Sequence, residues 1–593
     1  MQLPDTVPVE LYQLILDKCN LKSQIFFICS HHALYYNLFI ENVWPVPVFY
    51  HSIVTKIING PIITKDLAIE TPGTGPWTRY DKYINSLTND ILKQKKFSKI
   101  SSLIIPTNTK ISDGISNLNK LTRLDISIED IINYNQYYYD DSQVDDNGRI
   151  DIFKDNARFF YIRDHHLKNI NLFELRINYN TVISDIAHMS NLRILYADGK
   201  CNIDQKCINN FNLIKLSCCD NKKILDVSHM TNLRILYIRG KSKISQKCIN
   251  KLNLEKLSLR NNKLITNISH MSLLKILDAS YDCVIDQKAI ADINLYKFNM
   301  ICNVHIHDVS HMSNLKILDA SSSEIKQNGI IGINLYELYV CNSPQINNVS
   351  HMTNLKILDA SGNCSINNDG VVGINPHTLY LHDNQYINNI NHMNNLKILY
   401  ASGPNSAICQ KSIENLNLEK LYANQNTKIK SVSHMPNLKF LNADRTNITQ
   451  KGISKNNFYE LSMNITANIK KLSHMTNLKI LHANGSDLTQ KGIENLDLIH
   501  LAIEDNENIN DVRHMSNLKI LYATGDQSKI SMFSIIGLKL EQLYVYNNDN
   551  FNCSVDVKYF NYRDMFYEFK FRQNYYEVDE PEYFEIYYPE QKK

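Results

Sequence analysis

Residues 311–318 read HMSNLKIL, and near copies of this phrase begin at His188, His229, His270, His351, His392, His434, His474 and His514. Successive steps are 40, 41 or 42 residues. So little drift over so long a stretch marks a tandem array of one structural unit. Each block divides again into two copies of the pattern Leu-x-x-Leu-x-apolar. In the block from His229 the first copy is Leu233, Leu236 and Ile238, and the second is Leu254, Leu257 and Leu259, with Asn262 just beyond. A strand alternates its side chains between two faces, so the Leu-x-Leu pair must point inward and its flanking residues outward.

This grammar resembles the leucine-rich repeat, at about 20 residues per turn with paired turns making the longer period. The resemblance implies an α/β solenoid of roughly 21 turns over residues 100–549, with parallel strands on a concave face. An asparagine column runs through it: Asn108, Asn180, Asn221, Asn262, Asn303, Asn384, Asn426, Asn506 and Asn548, with Ser343 and Thr466 as substitutes. An amide there can donate to and accept from backbone groups that would otherwise be unpaired. The recurring His-Met pairs invite a metal reading. Equivalent histidines, however, sit two strands or roughly 10 Å apart, too far to share a zinc ion bonded at about 2 Å. Packing at the repeat boundary is the expected role, and no metal or cofactor is expected.

Composition adds exclusions. The 593 residues hold 63 basic and 60 acidic side chains, a net charge of +3. No global field therefore calls for nucleic acid or a membrane. The 13 cysteines are scattered and lack a C-x-x-C pair, which suits reduced thiols in the cytoplasm or nucleus. Neither a signal peptide nor an 18-residue apolar run is visible in the sequence.

Residues 1–45 break the pattern. Leu11, Leu14 and Ile15 stand at helical spacing behind Pro8, and further short apolar runs follow through Cys29 and Ile40. Val7-Pro8-Val9-Glu10-Leu11 with Ile15-Leu16 resembles the Leu-Pro-x-Glu-Leu-x-x-x-Ile-Leu opening of the F-box. It departs at Val7, where Leu is usual, and at Asn20-Leu21, where Asp-Leu is usual. The combination with leucine-rich repeats is similar to the F-box/LRR proteins of giant, mimivirus-like DNA viruses. That resemblance implies an adaptor-binding set of Pro8, Leu11, Leu14 and Ile15, a Skp-type adaptor and a cullin ligase as partners, and a location in the cytoplasm, the host's if viral, or the nucleus. The alternative is that residues 1–45 are a helical cap for the solenoid.

Residues 46–99 read as a connector and N-terminal cap, with a turn at Thr71–Pro76 and a helix from Tyr80 to Leu92. The segment ISDGI and its echoes ITQKGI and LTQKGI link successive copies. A polar, tyrosine-rich insertion occupies 133–166 and should emerge as a surface loop. Residues 550–593 lose the leucine grammar and read as a C-terminal cap or tail.

On the outward face, the position after the second leucine varies as a contact position would. Tyr339, Asp359, Tyr380, Tyr400 and Tyr422 are expected on five successive strands. Rigidly mounted amphipathic rings make good anchors for a target protein. Chance clustering among 34 tyrosines is the competing explanation. No nucleophile elbow, HExxH or carboxylate pair at fixed spacing occurs, so an enzyme is not expected. Two functions remain: a substrate receptor of an SCF-type ubiquitin ligase whose repeats bind the target protein, or a scaffolding repeat protein.

Overall fold

The computed structural model describes residues 113–127 and 162–551, except 119 and 546, and the short strands Phe39–Val43, Ile63–Ala68, Ser102–Ile104, Phe560–Asn561 and Phe566–Tyr567. The adaptor-binding set, the connector turn, the helix from Tyr80 to Leu92, most of the 133–166 insertion and most of the tail lie outside the described residues. The chain divides into two units, Met1–Asn299 and Met300–Lys593.

In the first unit, three-residue strands recur at Arg123–Asp125, Glu174–Arg176, Ile194–Tyr196, Lys215–Ser217, Ile235–Tyr237, Lys256–Ser258, Ile276–Asp278 and Lys297–Asn299. All pair in parallel with the central residues in register, as Leu216 with Leu236 and Leu236 with Leu257. The strand Arg123–Asp125 pairs directly with Glu174–Arg176, so the insertion lies within one turn and leaves the register intact. On the N-terminal side Ser102–Ile104, Ile63–Ala68 and Phe39–Val43 continue the parallel pairing. The ladder thus reaches upstream of residue 100, into the stretches read as connector and helical handle.

In the second unit the same strands run from Ile317–Asp319 to Gln542–Tyr544, again parallel and in register, as Leu379 with Leu399 and Leu399 with Leu421. Each unit is a run of leucine-rich-repeat coils, about 20 turns counted over both. Helix is scarcer than the α/β expectation. The non-strand side carries only single turns, such as Gln205–Ile208, Gln246–Ile249 and Gln490–Ile493. A coil of about 20 residues that spends three on a strand and the rest on tight corners has no room for more.

Each central leucine is fully buried, and so are the apolar residues of the corners, for example Ile238, Ile244, Ile249, Leu254 and Leu257. The two copies of a block build two kinds of coil. The first carries the single helical turn; the second carries the His-Met loop, whose methionines Met230, Met271 and Met393 are wholly buried. Burial of that column supplies the favourable term that offsets chain ordering.

Polar ladders fix the spacing. Asn262 Nδ2 donates to Ile238 O at 2.7 Å, while its Oδ1 accepts from Leu264 N at 2.9 Å and Ile265 N at 3.1 Å. Asn384 and Asn426 repeat the arrangement, and Ser343 and Thr466 keep the donor half of it toward Ala320 O and Ala443 O. The histidines serve packing too: His229, His270, His351 and His392 each donate from Nε2 to a carbonyl 21 residues earlier.

The glutamine that opens several of the helical turns does more than link copies. Gln246 Oε1 accepts from Thr266 N and Asn267 N, and its Nε2 donates to Asn267 O, all at 2.8–2.9 Å. Gln205, Gln410 and Gln490 do the same on their next coils. From Glu174 onward each coil turns through positive φ just past its strand, as at Gly240 (φ 61°) and Gly403 (φ 94°). A Cβ on Gly403 would also fall 2.2 Å from Asp383 Oδ1 in the preceding coil, so any other residue there would have to displace that carboxylate as well as adopt a positive φ.

Candidate functional site

The face of the ladder turned away from the core carries three rows: the residues before the central leucine, after it, and two positions further on. Side-chain alternation places them there, and neighbouring strands bring equivalent residues to about 5 Å. Whatever binds this face meets rows that run across the strands.

In the second unit Tyr339, Asp359, Tyr380, Tyr400 and Tyr422 do fall in register on consecutive strands. Three of them form one stack. The rings of Tyr380 and Tyr400 lie 4.2 Å apart at 14°, and those of Tyr400 and Tyr422 lie 4.1 Å apart at 7°. Phe440, from the row before the leucine, closes the stack on Tyr422 at 4.4 Å and 37°. Burial pushes the Tyr422 phenol up to about 12 and raises that of Tyr380, so both stay neutral donors near pH 7.

Tyr339 stands apart from the stack and donates to Glu337 Oε2 at 3.2 Å. Asp359, between Tyr339 and Tyr380, is mostly buried; burial raises its carboxyl, against the lowering effect of its hydrogen bond from Ser361 N. It is set back as a polar floor between rings.

A second cluster was not singled out in the sequence. The imidazoles of His482 and His500 meet edge-on at 4.8 Å, His500 stacks on Tyr522 at 5.4 Å, and Tyr522 stacks on Tyr544 at 4.1 Å and 4°. Ala502 follows the central leucine on the His500 strand, which leaves room for that imidazole to lean into the row. Burial pushes His500 down to about 4 and lowers His482 as well, so both are neutral at pH 7. His500 Nε2 is buried and makes no hydrogen bond.

The first unit presents different chemistry. The Arg176 guanidinium lies 4.5 Å from the Tyr196 ring centroid and the Lys215 ammonium 4.6 Å from it. Lys215 and Lys256 each lie 5.4 Å from the Tyr237 centroid, and Arg260 lies 4.2 Å from that of Tyr281. The carboxylates nearby are engaged. Glu174 accepts from Arg176 at 2.9 Å, Asp198 from Ser217 Oγ at 2.7 Å and Cys219 N at 2.7 Å, and Asp278 from Ser258 Oγ at 2.7 Å. Alternation of lysine at 215, 256 and 297 with Ile194, Ile235 and Ile276 was the signal for this row.

Among the described residues no group of three or more His, Cys, Asp or Glu side chains could hold a metal ion, and no helix is long and apolar enough to cross a membrane. The ten described cysteines are unpaired thiols, and burial pushes Cys201, Cys283 and Cys364 up to about 12.

No protein-family model and no curated protein matches the chain. Among solved structures it is similar to the TLR13–ssRNA13 complex at 16% identity, covering 86% of this chain and 87% of that one with a TM-score of 0.45. An internalin, InlF, from Listeria monocytogenes matches at 16% identity over 73% of this chain and 88% of its own, with a TM-score of 0.22. A leucine-rich repeat protein from Bacteroides thetaiotaomicron matches at 14% identity over 73% and 65%, with a TM-score of 0.33.

Proposed function

We propose that this chain is a protein-recognition module, the substrate receptor of an SCF-type cullin ubiquitin ligase, in which the repeats hold the target and residues 1–45 hold a Skp-type adaptor. The observation that carries the recognition half is the Tyr380–Tyr400–Tyr422 stack. Its rings are amphipathic, half-buried and braced by one another, so little side-chain entropy is left to lose on contact. Truncating rings of this kind typically removes much of an interface's energy. The adaptor half rests on the F-box-like opening with Pro8, Leu11, Leu14 and Ile15, and places the activity in the cytoplasm or nucleus, the host's if the chain is viral.

The deciding experiment is co-purification of the full chain with a Skp-type adaptor. The wild type should capture it, and Pro8→Ala with Leu11→Ala should not, while circular dichroism stays unchanged. Failure of the wild-type chain to capture the adaptor would leave a scaffolding repeat protein with an N-terminal cap. That second reading draws support from the strand Phe39–Val43, which pairs with Ile63–Ala68 as part of the ladder itself.

A further inference from the structure

We infer that the outward face of the first unit, from Arg176 to Lys256, is a docking surface for a carboxylate-rich protein segment, separate from the tyrosine stack of the second unit. Four features support it: placement, pairing, spacing and the orientation of the rings.

Placement comes first. Strand pairing sets Lys215 between Ile194 and Ile235, and Lys256 between Ile235 and Ile276, all on one row. Arg239 and Arg260 join them from the third row, two positions beyond the strand ends. Pairing comes next. The three nearby carboxylates are spoken for: Glu174 by Arg176 and Arg123, Asp198 by Ser217 and Cys219, and Asp278 by Ser258 with Arg239 at 3.7 Å. Lys215 and Lys256, half-buried as residues, have tyrosine faces for company and no ion pair with a carboxylate, a weak compensation for a cation. An incoming carboxylate would complete them.

Spacing favours an extended chain lying across the strands. Lysines on alternate strands are roughly 10 Å apart, which about three extended residues span. Acidic residues at every third position would therefore meet Lys215 and Lys256 in turn.

The rings decide against single-stranded nucleic acid. Binding of that kind relies on open aromatic faces for the bases. Here Tyr196 is flanked by Arg176 and Lys215 from the strands on either side, and Tyr237 by Lys215 and Lys256 in the same way. Their faces are already covered by the protein's own cations. What remains outward is ammonium, guanidinium and phenol edge, a surface suited to carboxylates.

The test is fluorescence anisotropy of the full chain with two labelled probes, an oligo-glutamate peptide and a single-stranded oligouridylate of equal charge, at low and at raised salt. The peptide should bind the more tightly, weaken as salt rises, and lose at least about tenfold in affinity in Lys215→Gln with Lys256→Gln. Lys247→Gln with Lys288→Gln removes two exposed charges from the helical turns and should bind like the wild type. A Tyr380→Ser, Tyr400→Ser variant should do the same, which separates this surface from the stack. Tighter binding of the oligouridylate, equal losses in both lysine pairs, or no peptide binding at low salt would each overturn the proposal.

Discussion

Between Glu174 and Asn299 the outward rows bear Arg176, Lys215, Arg239, Lys256, Arg260 and Lys297 against Glu174, Asp198 and Asp278. Between Ile317 and Tyr544 they bear Asp319, Glu337, Asp359, Asp444, Glu460 and Glu504 against Lys420. The backbone is the same in both units: parallel strands, in-register leucines, and the same asparagine, glutamine and histidine bonds. Tyrosines interleave with cations in one unit and stack on one another in the other. The asparagine, glutamine and histidine bonds that recur in both units use inward and corner positions, so the outward rows can carry opposite chemistry on like coils. A whole-chain charge of +3 averages that contrast away.

The contrast can be broken most forcefully where the units should agree. Asn262→Leu in the first unit and Asn426→Leu in the second each strand buried backbone donors and carbonyl oxygens. Each should cost about 3 kcal/mol or more, since one buried unsatisfied group costs about 1–3 kcal/mol. Urea unfolding of both variants checks it, and a large inequality would mean that the two scaffolds are not equivalent.

Next in size, Tyr400→Ala removes the central ring of the stack. It should weaken capture of a target bound there by about 2 kcal/mol, roughly thirtyfold, while Tyr237→Ala in the first unit leaves that target untouched. Quantitative pull-down of the two variants would show equal losses if the stack were not the contact surface.

A third difference is pH. His482 and His500 are held neutral by burial, with His500 down near 4, whereas an unfolded histidine titrates near 6.5. As pH falls from about 6.5 toward 4 the unfolded chain takes up protons that the folded chain refuses, so stability must fall across that window. Allowing for partial exposure, the loss is on the order of 1 kcal/mol. Thermal melts of His500→Gln at pH 7 and pH 5 should show a smaller drop than wild type. An unchanged drop would put the titration elsewhere.

Smallest of all should be the effect of outward substitutions on folding. Tyr380→Ser leaves Leu379 in place and gives up one ring stack, at a cost of about 1 kcal/mol or less, and Lys215→Gln leaves Leu216 in place and should shift stability by no more than about 0.5 kcal/mol. If Tyr380→Ser melted like Asn262→Leu, the inward and outward assignment would be at fault.

The solenoid was legible because its signals repeat. One leucine pattern is weak, but the same pattern at fixed steps, with asparagine or a hydroxyl substitute at the same corner of every second coil, leaves few alternatives. The tyrosine column was legible for the same reason. The segments ITQKGI and LTQKGI, read only as links between copies, hold single helical turns, because the closing coil leaves no room for more. The glutamine clamp was missed because its partners lie about 20 residues away, although glutamine recurring at 205, 246, 327, 410, 450 and 490 was visible. His500 was missed because it belongs to the row before the central leucine, filled mostly by isoleucine, lysine and glutamate. Its entry into the aromatic row depends on the small Ala502 beside it, a packing relation that sequence spacing does not express.

The alternation of helical-turn coils with His-Met coils has a hereditary consequence. Gln246 in a coil of the first kind clamps Thr266 and Asn267 in the second kind, and His270 in that coil reaches back to Ile249. Loss of a single coil would set like against like and leave glutamine and histidine without their partners. Loss of a pair, for instance residues 351–391, joins Ser350 to His392 and presents each coil with a neighbour of the kind it had before. A gene for such a chain can therefore change length by unequal crossing-over only in quanta of about 41 codons, and the duplications that survive carry two outward strands at a time.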